Sequence, residues 1–315
     1  MIFSKKQFSS RFHSCPKIVL TLQILVLIGS ISLYLRRSSH IKTHTSLAAI
    51  IPLSSLEITW AEDTIREALR VASPVVVAYA DHLSDGTRED LAFVDKLRQT
   101  FANSPNLIFV PVLWRSGLSS RFWVRYLRYA AVPFVPLEVD YIIWLDADEI
   151  LDSDIFNEWW MSNQGLPARQ EGATKLANYF YFRDARFQKV ELDDSVVISR
   201  RRGMSSDAFF ENPWQEREAF FYAYPGSKHL ELGLGGRVMV HHMSWVRSKE
   251  GMLQKVSAWG HAGERDWEAL VKEEWSREFN GRDFLNAGNR YRILDKPWIE
   301  ELRERRSRQL KNSTS

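Results

Sequence analysis

Asp146, Asp148 and Glu149 place three carboxylates within four residues, directly after the apolar run Tyr141-Ile142-Ile143-Trp144-Leu145. An apolar run bounded by charge on both sides reads as a strand buried on both faces. Carboxylates crowded at the end of such a strand repel one another and need a counter-charge. A divalent cation is the usual answer, and Mg²⁺ or Mn²⁺ typically takes one or two carboxylates together with phosphate oxygens from a substrate. In open α/β sheets, ligands bind at the carboxyl ends of strands, which is where these residues fall. A D-x-D triplet alone is weak evidence, because Asp152-Ser153-Asp154 is another and reads equally well as a helix cap.

The elements around the motif set its context. Leu47 to Leu53 is a short buried strand, and a helical stripe follows from Glu62 through Ile65, Leu69 and Val71. Val75 to Ala80 is a second buried run that ends in Asp81-His82-Leu83-Ser84-Asp85. Arg88 to Phe101 is helical, Leu107 to Leu113 is a third strand, and Ser119 or Ser120 caps a further helix bearing Trp123 and Leu127. Four strands alternating with three helices predict an α/β fold built on a doubly wound, mostly parallel sheet flanked by helices. The polar ends of strands two and four then face one crevice, where Asp81 and Asp85 are placed to meet a nucleotide's base or ribose.

The totals agree with an ordinary folded body. The chain has 315 residues, 45% hydrophobic and 26% charged, with one large domain or two small ones as the natural outcome. A net charge of +3 without a long basic run gives no footprint for nucleic acid. Cys15 is the single cysteine, which excludes an intrachain disulfide and a zinc-thiolate cluster. Twelve Trp and 18 Phe suit a sugar-handling surface and a large core equally.

Ile18 to Leu35 is apolar, preceded by Lys5, Lys6, Arg11 and Lys17 and followed by Arg36 and Arg37. At about 1.5 Å per residue it is long enough to cross a hydrocarbon core. The flanking charges favour a cytoplasmic N-terminus, and no cleavage site follows, so an uncleaved signal anchor is expected. The layout is then a cytoplasmic tail over 1–17, a transmembrane span over 18–35, a stem over 36–45, a catalytic domain over 46–290 and a charged tail over 291–315 that reads as a frayed helix beyond Trp298. The anchor suits the Golgi in a eukaryote and the inner membrane in a bacterium.

The order strand, helix, strand with an acidic end, helix, strand, helix and then a strand running into D-x-D is similar to glycosyltransferases of the GT-A fold, including their membrane-anchored members. The resemblance implies a nucleotide-diphosphate sugar as donor and a carbohydrate, glycoprotein or glycolipid as acceptor. It places Asp146 near the ribose or metal and Asp148 on an Mn²⁺ or Mg²⁺ ion that bridges the diphosphate. It also implies that the second half holds the acceptor and supplies a base, for which Asp193, Asp194, Asp207 and Glu211 are available. Asp194 and Asp207 head that set, and spacing does not choose among the four.

Leu234 to Arg247 (LGLGGRVMVHHMSWVR holds this stretch) carries a short strand into His241-His242. A His in this region supplies a further metal ligand in many such enzymes. Alternation lets only one of the pair face the site, with His242 in the candidate metal set beside Asp146 and Asp148. Arg247 or Arg237 is placed to neutralise the leaving diphosphate. The run His241 to Asp266 resembles the C-terminal part of family-two-like glycosyltransferases, with Lys249 to Trp259 as an amphipathic helix stopped by Gly260, and His261 after it is a further candidate to line the site. Two other classes compete: a metal-dependent phosphohydrolase, and a membrane-tethered carbohydrate-binding or scaffold protein without activity.

Overall fold

The computed structural model describes residues 45–313, apart from 166–171, 203–216, 218–220, 223–226 and 286–287. The tail, the apolar stretch Ile18 to Leu35 and the stem up to His44 therefore lie outside the described residues, as do Asp207 and Glu211. Among the described residues no helix is long and apolar enough to cross a membrane.

The N-terminal half alternates as the sequence pattern requires. Strands β1 (Leu47–Leu53), β2 (Val75–Tyr79), β3 (Leu107–Pro111) and β4 (Tyr141–Trp144) are separated by α1 (Ile58–Val71), α2 (Ala92–Thr100) and α3 (Ser120–Ala131). They lie parallel in the order β4-β1-β2-β3. Successive strand residues point to opposite faces, and each face has its own cover. Ala49, Ile51, Val75 and Val77 pack against Ala61, Ile65 and Ala68 of α1 and Val94 and Leu97 of α2. Ala48, Ile50, Val76 and Ala78 pack against Trp123, Leu127 and Ala131 of α3. Both faces are dry, so every residue of β2 and β4 is buried, which explains the unbroken apolar runs.

The C-terminal half is different. Strand β5 (Glu149–Leu151) follows the motif at once, and α4 (Ser153–Met161) starts at the cap Asp152. Strands β6 (Ala173–Phe182), β7 (Asp184–Lys189), β8 (Asp193–Arg200), β9 (Lys228–Glu231) and β10 (Val240–Trp245) then extend the sheet beyond β4. The ten-residue β6 is their hub and pairs with β7, β8, β9 and β10. The expectation of a mostly parallel sheet is corrected here. Among the described strands the β4–β8, β6–β8, β6–β7, β5–β10 and β7–β11 pairings are antiparallel, so the sheet is mixed. Short connections between neighbouring strands, such as the single residue Arg183 between β6 and β7, permit only antiparallel pairing.

Helices α5 (Lys249–Ala258) and α6 (Trp267–Glu274) begin at side-chain caps, Ser248 and Asp266. Residues 291–315, read above as a charged tail, hold strand β11 (Tyr291–Ile293), paired with β7, and helix α7 (Trp298–Ser313). Ile299 and Leu302 of α7 are buried against Trp60 and Tyr181. Its arginines reach acids of α1 and the α4 cap: Arg303 and Arg306 hold Asp63, Arg306 holds Glu67 at 2.7 Å, and Arg305 holds Asp152 at 2.8 Å.

One long-range bond fixes the motif on this frame. The buried Thr64 hydroxyl of α1 donates to the carbonyl of Ala147, the middle residue of D-x-D, at 2.9 Å. Thr64→Val keeps the shape and removes the donor, so it should cost about 1–2 kcal/mol. Urea unfolding checks this, and an unchanged midpoint would contradict it.

Candidate functional site

A cavity of about 330 Å³ opens at the carboxyl ends of β1, β2 and β4 and is closed on its far side by β10 and α5. Its walls come from the turn after β1 (Pro52 to Glu57), from His82 to Ser84 after β2, from Asp146 to Asp148, and from His242 to Trp245. The size sits at the lower end of the range for small-molecule sites. Ser84 donates its hydroxyl to the carbonyl of Ala258, tying the β2 loop to the end of α5. Trp123, Phe180, Trp245, Trp259 and His261 give the cavity an aromatic side, with Trp245 and Trp259 edge to face at 5.6 Å.

The D-x-D turn is built by its own side chains. The backbone N–H of Asp146 donates to Glu149 Oε2 at 2.7 Å, and the N–H of Glu149 donates back to the Asp146 carbonyl at 3.0 Å. Strand β10 is registered on β5 so that His242 stands opposite Glu149 and His241 opposite Ile150. That register decides between the two histidines. His242 turns to the acids, 3.5 Å from Asp148 and 3.9 Å from Glu149. His241 is buried on the other side, stacked on Trp298 at 3.4 Å and bonded to the Tyr181 hydroxyl at 2.7 Å. Burial first, and the charge of Arg305 next, hold the His241 pKa well below the ordinary value, so it is a neutral core histidine.

Four carboxylates, Glu57, Asp146, Asp148 and Glu149, meet cations on several sides. Asp146 is held by Arg128 of α3 and by Arg217, the latter at 3.2 Å. Arg217 also binds the fully buried Glu149. Asp148 accepts from Lys255 of α5 at 2.9 Å and has Arg247 at 3.7 Å. Glu57, in the short turn Ser55–Glu57 after β1, is bound by Arg247 and by Lys255 at 3.0 Å. Burial opposes ionisation of Asp148, but Lys255 and His242 outweigh it and hold its carboxyl well below the usual range. Asp146 is shifted down in the same way, where Arg128 and Arg217 overcome burial. Burial also works against charged His242, and the bond to Asp148 with the charges of Glu149 and Asp148 reverses this and raises its pKa.

Glu57 goes the other way. Burial, with the adjacent Asp148 charge second, pushes it from 4.5 up to about 7. Folding therefore favours its protonated form. That contribution is complete below the ordinary carboxylate pKa and is lost as pH rises through about 7. The wild-type stability should fall between about pH 4.5 and 7 more steeply than that of Glu57→Gln, as read from denaturant midpoints across this range. Parallel profiles would refute it.

The other expected site residues are placed as follows. Arg247 reaches the cluster through Glu57, Asp148 and the carbonyl of Leu56. Asp81 and Asp85 do not line the cavity. Asp81 bonds the His82 ring at 2.8 Å, and Asp85 closes its own turn on the Thr87 N–H at 2.8 Å. The strand end is right, but the next residues, His82 to Ser84, face the cavity. Asp194 is likewise outside it, bound to His229 at 2.6 Å with Lys175 at 3.6 Å, so it is not placed to serve an acceptor there. Arg237 pairs with Glu158 on the surface, and His261 lines the cavity beside Glu264.

The residues that sequence reasoning missed are Glu57, Arg128, Arg217, Ser244 and Lys255. For two of them a signal was present. Arg128 follows Leu127 in the stripe of α3, and Lys255 sits among Met252 and Val256 in that of α5, both at buried positions. A cation on an apolar helix face needs a buried partner.

The divalent ion expected on Asp146, Asp148 and His242 does not fit this donor set. Arginines occupy Asp146, and Lys255 occupies Asp148 Oδ2. Glu149 Oε1 has no hydrogen-bond partner among the described residues, but it is sealed below the cavity floor.

No family model matches the sequence, and a search of curated proteins finds no match. Solved structures do match. The inositol-1-phosphate CTP transferase from T. maritima aligns over 73% of this chain and 98% of its own, at 8% identity and a TM-score of 0.39. Mouse xyloside xylosyltransferase 1, in its apo form, aligns over 62% and 96%, at 10% identity and 0.34. The mannosyltransferase PcManGT from Pyrobaculum calidifontis, in complex with GDP-Man and Mn²⁺, aligns over 77% and 72%, at 13% identity and 0.37. By name these neighbours are glycosyl- and nucleotidyl-transferases, and scores this low say nothing about the chemistry of this chain.

Proposed function

We propose that this chain is a glycosyltransferase of GT-A type that takes a sugar from a nucleotide-diphosphate donor and passes it to a hydroxyl of a carbohydrate, glycoprotein or glycolipid. The observation that carries the reading is one cavity. It lies at the carboxyl ends of parallel strands, has the D-x-D acids in its floor, and is lined with Arg128, Arg217, Lys255 and His242. A diphosphate is the leaving group such a wall suits, because charge develops on it as the glycosidic bond breaks. Fixed cations in a half-buried site stabilise that charge without reorganising. The aromatic side suits the faces of sugar rings.

The chain's own residues then divide the work. Asp146 and Asp148 hold the cations in place, Arg128, Arg217 and Lys255 meet the diphosphate, and Trp245 and Trp259 flank the sugar. Mn²⁺ or Mg²⁺, expected from the motif, enters no step, since the folded carboxylates are already engaged. The membrane anchor over Ile18 to Leu35, with a cytoplasmic N-terminus and the body on the far side, belongs to the same proposal.

The test is a panel of nucleotide sugars and nucleoside diphosphates against the full-length chain in detergent, read as thermal midpoint and as sugar released. A ligand present at one hundred times its Kd stabilises by about 2.7 kcal/mol. One nucleotide series should shift the midpoint and yield released or transferred sugar. A folded protein that responds to no member would sink the reading and bring forward a tethered binding or scaffold protein.

A further inference from the structure

We propose that the Lys255 ammonium is the resident cation of this site, standing where a divalent ion would otherwise bridge acid and diphosphate, so that the diphosphate binds without metal. The inference rests on the donor reading above for its ligand, and on the following geometry for the cation.

Four oxygens surround Lys255 Nζ. Asp148 Oδ2 lies at 2.9 Å, Glu57 Oε1 at 3.0 Å, Ser244 Oγ at 2.7 Å and the Ser244 carbonyl at 3.3 Å. Two carboxylates, a hydroxyl and a carbonyl are the hard oxygen ligands that Mg²⁺ or Ca²⁺ would use. The distances are those of ammonium hydrogen bonds, longer than the roughly 2.0–2.6 Å of such ions. The ammonium has three donors and no acceptor, so this set saturates it. It is also held in advance. Met252 and Val256 bury the helix face on either side, Ser248 caps α5 by accepting from the Gly251 N–H at 3.1 Å, and β10 presents Ser244.

Charge points the same way. Arg128 and Arg217 satisfy Asp146, Arg247 adds to Glu57 and Asp148, and His242 stands over Asp148 and Glu149. With four fixed cations and an imidazole against four carboxylates, the cluster is already neutral or positive. A further divalent ion would have to displace Lys255 or leave it facing a like charge a few ångströms away. Lys255, Arg128, Arg217 and His242 line the cavity beside Glu57, Asp146 and Asp148, so an anion entering it finds cations already fixed in its wall.

The test separates this inference from the donor reading by using two probes on the full-length chain. Mn²⁺ alone is followed by loss of the free-ion electron paramagnetic resonance signal. The nucleoside diphosphate panel is then titrated in EDTA and in Mn²⁺. The wild type should take up no Mn²⁺ and bind its diphosphate equally well in both buffers. Lys255→Met should weaken that binding at least tenfold in EDTA, an effect expected for losing a fixed positive charge beside the diphosphate. Lys255→Arg, which keeps the charge and guards against a failure to fold, should retain more of it than Lys255→Met.

Mn²⁺ uptake by the wild type that Asp148→Asn abolishes overturns the proposal. So does diphosphate binding that requires Mn²⁺, and in that case the donor reading still stands. If no diphosphate binds in either buffer, the donor reading fails and this inference falls with it.

Discussion

Replacing Arg306 with methionine should cost about 3–5 kcal/mol of folding free energy. Asp63 and Glu67 are both buried on the face of α1 turned to α7, Glu67 completely so. Among the described residues Arg306 alone binds both, with its Nε 2.7 Å from Glu67 and one terminal nitrogen on Asp63. Asp63 retains Arg303 at 2.6 Å, and Glu67 retains Ser153 and a long contact to Arg70 at 3.4 Å. Those remnants set the lower end of the estimate. A loss of this size is a large fraction of the roughly 5–15 kcal/mol that holds an ordinary domain together. Lys272→Met is the control. Its pair with Glu268 is exposed, and removing it should move stability by no more than about half a kcal/mol. Denaturant midpoints at constant slope give both numbers. Equal effects from the two variants would show that α7 is laid on the surface and does not brace it.

The sequence offers that helix only as the frayed end of a charged tail, and its docking on the body is what local pattern does not contain. Beyond Trp298 and Ile299 nearly every residue of α7 is polar, and its apolar contact is carried by Trp298, Ile299 and Leu302. Periodicity finds helices through a continuous apolar stripe, whereas this one is held by ion pairs to residues some 240 positions away. Strands β7, β9 and β11 fail for a related reason. Each is short and half-exposed, and pairing with β6 or β7 makes them strands, a tertiary fact that no local window contains. The parallel half was readable because both of its faces are dry, so Val75 to Tyr79 and Tyr141 to Trp144 could not be anything but apolar.

The site divides along the same line. A strand end carrying acids is a local signal, and it led to Asp146, Asp148 and, through alternation, to one histidine of the pair. What local spacing lacks is the counter-charge. From the sequence, three carboxylates in four residues ask for a cation and a metal is the natural answer. In the fold the cation is delivered by α3, by β10 and by α5, with Lys255 arriving 107 residues after Asp148. Asp81 and Asp85 lie differently: these acids at a strand end find local partners, and their neighbours His82 to Ser84 line the cavity.

Arg128→Met should lower turnover of the donor by about 10²–10³-fold while leaving the fold intact. Arg128 is 1% exposed, carried by α3 with its guanidinium on Asp146 at the cavity floor. Methionine fills much of the same space, and Asp146 keeps Arg217 at 3.2 Å and partial contact with solvent, so the acid is not stranded. What is lost is a fixed, planar cation aimed at the place where leaving-group charge appears. Because that charge grows during bond breaking, the effect should fall mainly on kcat, with ground-state donor affinity changing less. Lysine is a poor substitute, since a compact ammonium on a flexible stem does not reproduce the planar guanidinium that α3 sets on Asp146. Sugar released from the donor is a sufficient readout and needs no acceptor. Arg237→Ala serves as the comparison, because that arginine pairs with exposed Glu158 away from the cavity and should leave the rate unchanged. If Arg128→Met and Arg237→Ala differ by less than threefold, the cationic wall is not what stabilises the departing diphosphate, and Arg128 holds only the D-x-D turn.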